Sequence, residues 1–320
     1  MRNLRALLVS LLVALIASLA LAQPQAPLKI IVGFAPGGSL DTVARLAGTA
    51  MGQELGRPVV IENRPGADGN IAAELVSRGP ADGSVMLATF NTHPFLASLH
   101  PRLGFDPIED FKPVGLIAST PYLLVANPNL PGQDLREALA KAKSEGRVQS
   151  FGTVGPGSPQ HLSGVRLQTA SGVPITIVHY KGGSPALNDV MAGHVDMMIS
   201  TIALGMPQVR AGKLKVLGVS TAQRLPGLPS VPTLDEAGFS GIMPDGWFGF
   251  LLPARAPTAV ATGYNEALNR ALQTPAVRER LEALGAPPLG GSLARMDKQM
   301  REERDIWSKI VKDNGVRVEE

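Results

Sequence analysis

Three glycine-rich turns are the features of this sequence best suited to chemistry. They are Phe34-Ala35-Pro36-Gly37-Gly38-Ser39-Leu40-Asp41, Gly155-Pro156-Gly157-Ser158-Pro159-Gln160-His161 and Tyr180-Lys181-Gly182-Gly183-Ser184-Pro185. Each follows a strand-like run and leads into a helical pattern. Glycine lets a backbone approach a ligand closely or adopt positive φ, and the first turn of a helix presents N–H groups with no partner of their own. Such N–H groups favour an anion. In the second and third turns, Ser158 and Ser184 suit the N-cap, and the following prolines suit the first helical position.

The same residues exclude other chemistries. Gly37-Gly38 is not followed by the Gly-Lys-Ser/Thr of a nucleotide loop, and Gly155-Pro156-Gly157 lacks the third glycine of a dinucleotide fingerprint. The five histidines, His93, His100, His161, His179 and His194, show no metal-ligand spacing. There is no Gly-x-Ser-x-Gly elbow, so Ser158 reads as a helix cap and not as a nucleophile. A hydrolase using His161 with Ser158 or Asp41 is the weakest alternative. Asp41, in the first turn of its helix, is expected to tie down the turn's N–H groups or to meet a polar ligand group. His161 can point a ring nitrogen at a ligand. A helix end contributes roughly 0.3–1 kcal/mol toward an anion and a hydrogen bond to a charged group roughly 1.5–3 kcal/mol. Four or five such bonds are compatible with micromolar affinity, about 8 kcal/mol.

The elements that hold these turns alternate, Val- and Ile-rich runs with helical stretches, which is the α/β pattern. Strands are expected at 28–34, 59–62, 84–89, 149–153, 175–180, 195–200, 215–220 and 247–252, with two extended segments around Pro121. Helices are expected from Leu40, over 70–77, 135–144, 159–170, 185–192, 206–211, 258–273, 275–284 and 293–313, the last as a surface helix. The fold class read from this pattern is α/β, with two lobes expected. Residues 28–125 and 222–320 are assigned to lobe 1 and residues 126–221 to lobe 2, with a crossing near Ala126. No internal sequence repeat is visible. In open α/β sheets ligands bind beyond the carboxyl ends of the strands, which places all three turns at one cleft between the lobes.

Arg2 and Arg5 precede an apolar run from Ala6 to Leu21, and Ala20-Leu21-Ala22 offers a cleavage site, so residues 1–22 read as a secretory signal. Without Arg2 and Arg5, the 30 Lys and Arg fall to 28 against 27 Asp and Glu. That balance, with scattered basic residues and 4% aromatic content, argues against nucleic acid and polysaccharide partners. No cysteine is present, which removes disulfides, thiolate nucleophiles and lipid anchoring.

Phe34-Ala35-Pro36-Gly37-Gly38-Ser39-Leu40-Asp41-Thr42-Val43-Ala44-Arg45 resembles the opening motif of the Bug-type, tripartite tricarboxylate transporter substrate-binding proteins. Val60-Ile61-Glu62-Asn63-Arg64-Pro65-Gly66-Ala67, Gln160-His161-Leu162, Tyr180-Lys181-Gly182, Val231-Pro232-Thr233 and Trp247-Phe248-Gly249 resemble further family signatures in the same order. The resemblance implies a periplasmic two-lobed clamshell, a binding protein of the Venus-flytrap, type II-like kind with a mixed sheet in each lobe; the protein is expected to be a monomer, not an enzyme, and without a cofactor. It would deliver a small carboxylate to a membrane permease of a large and a small subunit. A sensor presenting the same closed form to a signalling partner is the alternative. The resemblance also implies ligand contacts from Phe34, Ala35, Gly37, Gly38, Ser39 and Asp41, completed by Asn91, Thr92, Ser158, Gln160, His161 and Tyr180. Ser200 stands where many members carry an acidic residue, which points away from amino acids and toward plain carboxylates, dicarboxylates among them. Asp68 and Ala81 depart from the family pattern at surface turns.

Overall fold

The computed structural model describes residues 26–66, 69–100, 102–243 and 245–316. The signal segment 1–22 and Asp68 lie outside these residues. Among the described residues the chain forms two five-stranded sheets. The first has the order β2-β1-β3-β10-β4, from β1 (Leu28–Val32), β2 (Val59–Asn63), β3 (Val85–Phe90), β4 (Phe111–Thr120) and β10 (Gly246–Pro253). The second has the order β7-β6-β8-β5-β9, from β5 (Tyr122–Ala126), β6 (Gln149–Thr153), β7 (Ile175–His179), β8 (Met197–Thr201) and β9 (Lys215–Val219). In each sheet the first three strands are parallel and the fourth runs antiparallel to its neighbours. The two sheets therefore share one arrangement of strand directions, with the fourth strand supplied from the end of the chain in the first (β10) and from the start of the segment in the second (β5), although no repeat is legible in the sequence. The first turn follows β1 and the second follows β6, so they occupy equivalent places.

Helices cover both faces of each sheet because the strands are apolar on both sides. In the first lobe, α1 (Ser39–Leu55) buries Val43, Ala44, Ala47 and Met51 against β1 and β3, beside α8 (Thr258–Gln273). The opposite face carries α2 (Asn70–Ser77) and α10 (Leu293–Asp313), with Ala72, Val76, Met296 and Met300 in the core. In the second lobe, α4 (Leu135–Ser144) and α5 (Pro159–Ser171) cover one face, and α6 (Gly183–Ala192) with α7 (Ile202–Arg210) covers the other. The remaining helices are α3 (Leu96–Leu99), preceded by a 3-10 turn over His93–Phe95, and α9 (Pro275–Ala283).

Two assignments change. The chain leaves the first sheet at Thr120 and enters the second at Tyr122, so the crossing is at Pro121 and not near Ala126. Proline cannot donate to a ladder, and Pro121, already expected to divide two extended segments, is where the chain changes sheet. The return also comes later than residue 222, because Leu234, Ile242 and Met243 pack in the second core. It occurs at Asp245–Gly246, beside the first crossing, where Gly246 pairs with Thr120 and Ser220 bonds both the Tyr122 N–H and the Asp245 carboxylate.

The terminal helix α10 is not only a surface element. Its Trp307 and Val311 join Phe95 and Leu99 of the first lobe and Leu162 of α5 in one buried cluster. Arg166 of α5 lies over the Trp307 ring, 5.8 Å from its centroid, a cation–π arrangement between the lobes.

Candidate functional site

The first turn is built around Asp41, which is 2% exposed. Its Oδ2 accepts the Gly37 N–H at 2.9 Å and the Arg45 Nε–H at 2.9 Å, while Oδ1 accepts from Asn63 at 2.9 Å. Asn63 also donates to the Phe34 carbonyl at 3.0 Å, tying the end of β2 to the turn. Arg45, together with the Gly37 N–H and Asn63, holds the Asp41 carboxyl down at about 2 despite its burial. Asp41 thus fixes the turn, as expected for one of its two roles. One proposed donor is lost by this arrangement, because the Gly37 N–H is occupied by Asp41. The N–H groups of Gly38, Ser39 and Leu40 have no partner among the described residues and open the helix toward solvent.

Gly37 and Gly38 differ in what they need. Gly37 has φ +82°, a left-handed conformation that favours glycine. Gly38 has φ −71°, ordinary for any residue, and a Cβ there would meet only the Ala35 carbonyl, at 3.5 Å. Neither backbone conformation nor packing requires the second glycine.

The second turn repeats the device with different chemistry. Ser158 caps α5 by accepting the His161 N–H at 3.2 Å and donates its hydroxyl to the Gly155 carbonyl at 2.7 Å. The Gly157 N–H goes to His161 Nδ1 at 3.0 Å. With Pro156 and Pro159 lacking N–H groups and Gly155 bonded to Thr153, the Gln160 N–H is left from this loop's early positions. The turn therefore offers side chains, chiefly His161 Nε2, and little backbone. Burial and the neighbouring His179, whose ring lies edge-on at 4.6 Å, lower His161 to about 4. Burial lowers His179 as well, and its Nδ1 is bonded to Thr153 Oγ1 at 2.8 Å. No hydrogen bond joins the Ser158 hydroxyl to the His161 ring, so the pair is not arranged as nucleophile and base.

The third turn differs from expectation. Its helix begins at Gly183 with Gly182 as N-cap, so Ser184 and Pro185 lie inside the helix and Ser184 is not the cap. Gly182 at φ +113° admits the earlier start.

A cavity of about 720 Å³ separates the lobes, within the size range of ligand pockets. Phe34 and Thr92 enter it from the first lobe, Ser158, Gln160 and His161 from the second. It is also lined by Phe90, Leu96, Leu99, His100, Tyr122 and His179, none of which the sequence reading assigned to ligand binding. Phe90 ends β3, so the carboxyl-end rule applied to that strand would have found it. Leu96 and Leu99 sit on a single helical turn too short to leave a periodicity. Gly37 and Ser39 border a second, smaller interlobe cavity of about 190 Å³, with Thr201 and Ile202 opposite.

Other expected contacts are held elsewhere. The Tyr180 hydroxyl donates to Asp189 at 2.6 Å, and burial with that bond pushes it up to about 12. Ser200 is 2% exposed, donates to the carbonyl of Thr201, which borders the smaller cavity, at 3.1 Å, and is not itself in the lining of either cavity. Asn91 is 1% exposed with its Oδ1 unpartnered, and Ala35 is exposed and in the lining of neither interlobe cavity. Among the described residues no three His, Cys, Asp or Glu cluster for a metal, and no helix is long and apolar enough to cross a membrane.

Comparison with known proteins matches this architecture. The profile described as tripartite tricarboxylate transporter family receptor covers residues 43–316. BugT of Bordetella pertussis is 31% identical over 297 residues, 92% of this chain and 91% of its own. An R. palustris protein solved with adipate is 34% identical with a TM-score of 0.77, covering 92% of this chain and 99% of that one. MatC from Rhodopseudomonas palustris with bound malate is 33% identical with a TM-score of 0.74, covering 90% and 100%. Periplasmic binding protein BugD is 31% identical with a TM-score of 0.74, covering 92% and 100%. In sequence over nearly its whole described length and in the shape of both lobes, this chain belongs to the tripartite tricarboxylate transporter receptor family.

Proposed function

We propose that this chain is a periplasmic receptor that closes its lobes on a small organic carboxylate and passes it to a membrane permease of the large-and-small-subunit type. The observation that carries this reading is Gly38, a glycine that neither conformation nor packing requires, beside the unpartnered N–H groups of Ser39 and Leu40. A side chain at that position would stand between those donors and an approaching anion. The two relatives with bound adipate and malate support a carboxylate as the ligand. His161 and Gln160 on the facing lobe are the groups that would sense the bound anion and favour the closed form.

The test is a thermal-shift screen of mono-, di- and tricarboxylates and amino acids on protein unfolded and refolded to strip retained ligand. A true ligand at a hundredfold excess over its Kd stabilises the fold by about 2.7 kcal/mol. Absence of stabilisation by every carboxylate removes the proposal.

A further inference from the structure

The buried stripe of α10 is longer than the lobe it belongs to. Met296, Met300, Glu303, Trp307 and Val311 recur every three or four residues, so one face of the helix is buried along its whole length. Met296 and Met300 end in the first core, where Trp247 also holds Glu303. Trp307 and Val311 lie beyond it, packed with Phe95 and Leu99 of the first lobe and Leu162 of the second. Of the five buried apolar clusters among the described residues, this one alone takes residues from both lobes.

The first-lobe side of the contact is firm. The Phe95 and Trp307 rings lie 5.7 Å apart, and the Ser98 hydroxyl donates to Ser308. The second-lobe side comes from one helix, α5. Leu162 is fully buried, and one turn later the half-buried Arg166 lays its guanidinium over Trp307. Arg166 has no hydrogen-bond or carboxylate partner among the described residues, so the indole face is what holds its charge. None of these residues belongs to the crossings at Pro121 and Asp245–Gly246. Leu99 instead lines the 720 Å³ cavity, which places the cluster beside the cleft. An apolar contact that spans a cleft has to part when the cleft opens.

We infer that the second half of α10 is a latch that holds the lobes closed, with Trp307 inserted against Leu162 and Arg166 of α5. This rests on the receptor reading for one point, that the lobes move. The latch sets how much of the ligand-free protein is already closed. A ligand that binds the closed form then weakens by the factor by which that form is depleted.

The sequence has no cysteine, so spin labels at Gln53→Cys and Lys141→Cys, one exposed position in each lobe, report the distance between them in the ligand-free full chain. The parent is expected to show one dominant separation. Leu162→Ala is expected to raise the population at a longer separation about threefold or more, and Arg166→Gln, a milder change at a half-buried position, to raise it in the same direction. Leu167→Ala is the control, because Leu167 lies on the same helix but packs in the second core. It should lower melting temperature without lengthening the distance. Unchanged distances in Arg166→Gln and Leu162→Ala overturn the latch, as does equal lengthening in Leu167→Ala. If Leu162→Ala does not fold, Arg166→Gln decides. The receptor reading stands or falls separately, on the carboxylate screen.

Discussion

Gly157 and His161 are joined by a 3.0 Å hydrogen bond from the backbone N–H to Nδ1, which leaves the imidazole proton on Nε2. The equivalent pair in the other lobe, Gly37 and Asp41, makes the same four-residue contact at 2.9 Å with a carboxylate as acceptor. One lobe thus carries a fixed negative charge beneath its turn and the other a neutral ring. Protonating His161 on Nδ1 would set two donors against each other, so the ring should stay neutral through binding. Ligand affinity is expected to change less than about threefold between pH 6 and 8. Nitrogen-detected NMR should show the Nε2–H tautomer without titration above pH 5, consistent with a pKa of about 4.

Asp41 gives a stability signature in acid. Its folded pKa is about 2, below the usual 3.8, so its contribution is complete above pH 4 and is lost as pH falls toward 2. The shift corresponds to about 2 kcal/mol. Asp41→Asn should lower stability by about that amount at pH 7 and flatten the acid limb of a melting-temperature profile.

Gly38→Val should leave the protein folded with a small loss of melting temperature, since φ −71° suits any residue and a Cβ there meets only the Ala35 carbonyl, at 3.5 Å, while valine is a poorer N-cap than glycine. It should abolish carboxylate binding by covering the N–H groups of Ser39 and Leu40. Unchanged affinity in this variant would remove the first turn from the site.

Glu303 predicts a dependence of opposite sign. It is 8% exposed, both its oxygens accept from Trp247 Nε1 at 2.9 Å, and burial raises it from 4.5 to about 7. The folded state therefore holds a proton that the unfolded state releases, and stability falls as pH rises from about 4.5 to 7. Glu303→Gln removes that penalty. Its melting temperature should exceed the parent's at pH 8, by an amount corresponding to about 1–3 kcal/mol, and match it near pH 4.5.

The sequence contains two tryptophans, and they report on different regions. Trp307 is shared between the lobes beneath Arg166, whereas Trp247 is anchored within the first lobe. Trp247→Phe should retain a ligand-induced change in emission, and Trp307→Phe should lose most of it. Stopped-flow fluorescence of both variants distinguishes lobe movement from local contact.

Strand and helix positions were legible because each apolar run is short, punctuated by Gly or Pro, and amphipathic only where it is helical. The ends of β1 and β7 fell short because Gly33 and Tyr180 already belong to the turns that follow. The turns that border the interlobe cavities were legible where glycine and caps signal them, at Phe34–Asp41 and Ser158–His161. Contacts that depend on tertiary partners were not legible. Nothing in Tyr180 announces that Asp189 will take its hydroxyl, and nothing in Ser200 announces that it will be buried. The lobe boundary was missed for a related reason: Pro121 divides two extended segments in the sequence, but strand pairing alone assigns them to different sheets.

The two crossings at Pro121 and Asp245–Gly246 also bear on how the chain folds. Every strand of the second sheet lies in the uninterrupted segment 122–219, and the residues that finish its core end at Met243. The first sheet waits for β10, which must slot between β3 and β4 after more than a hundred intervening residues. The second lobe can therefore be completed while the first is still missing a central strand. Closure of that gap is the step of highest contact order, and so the natural candidate for the slow phase of folding. A fragment spanning 122–243 should acquire protected amides by itself, whereas the amides of β3 and β4 should gain protection only when β10 arrives.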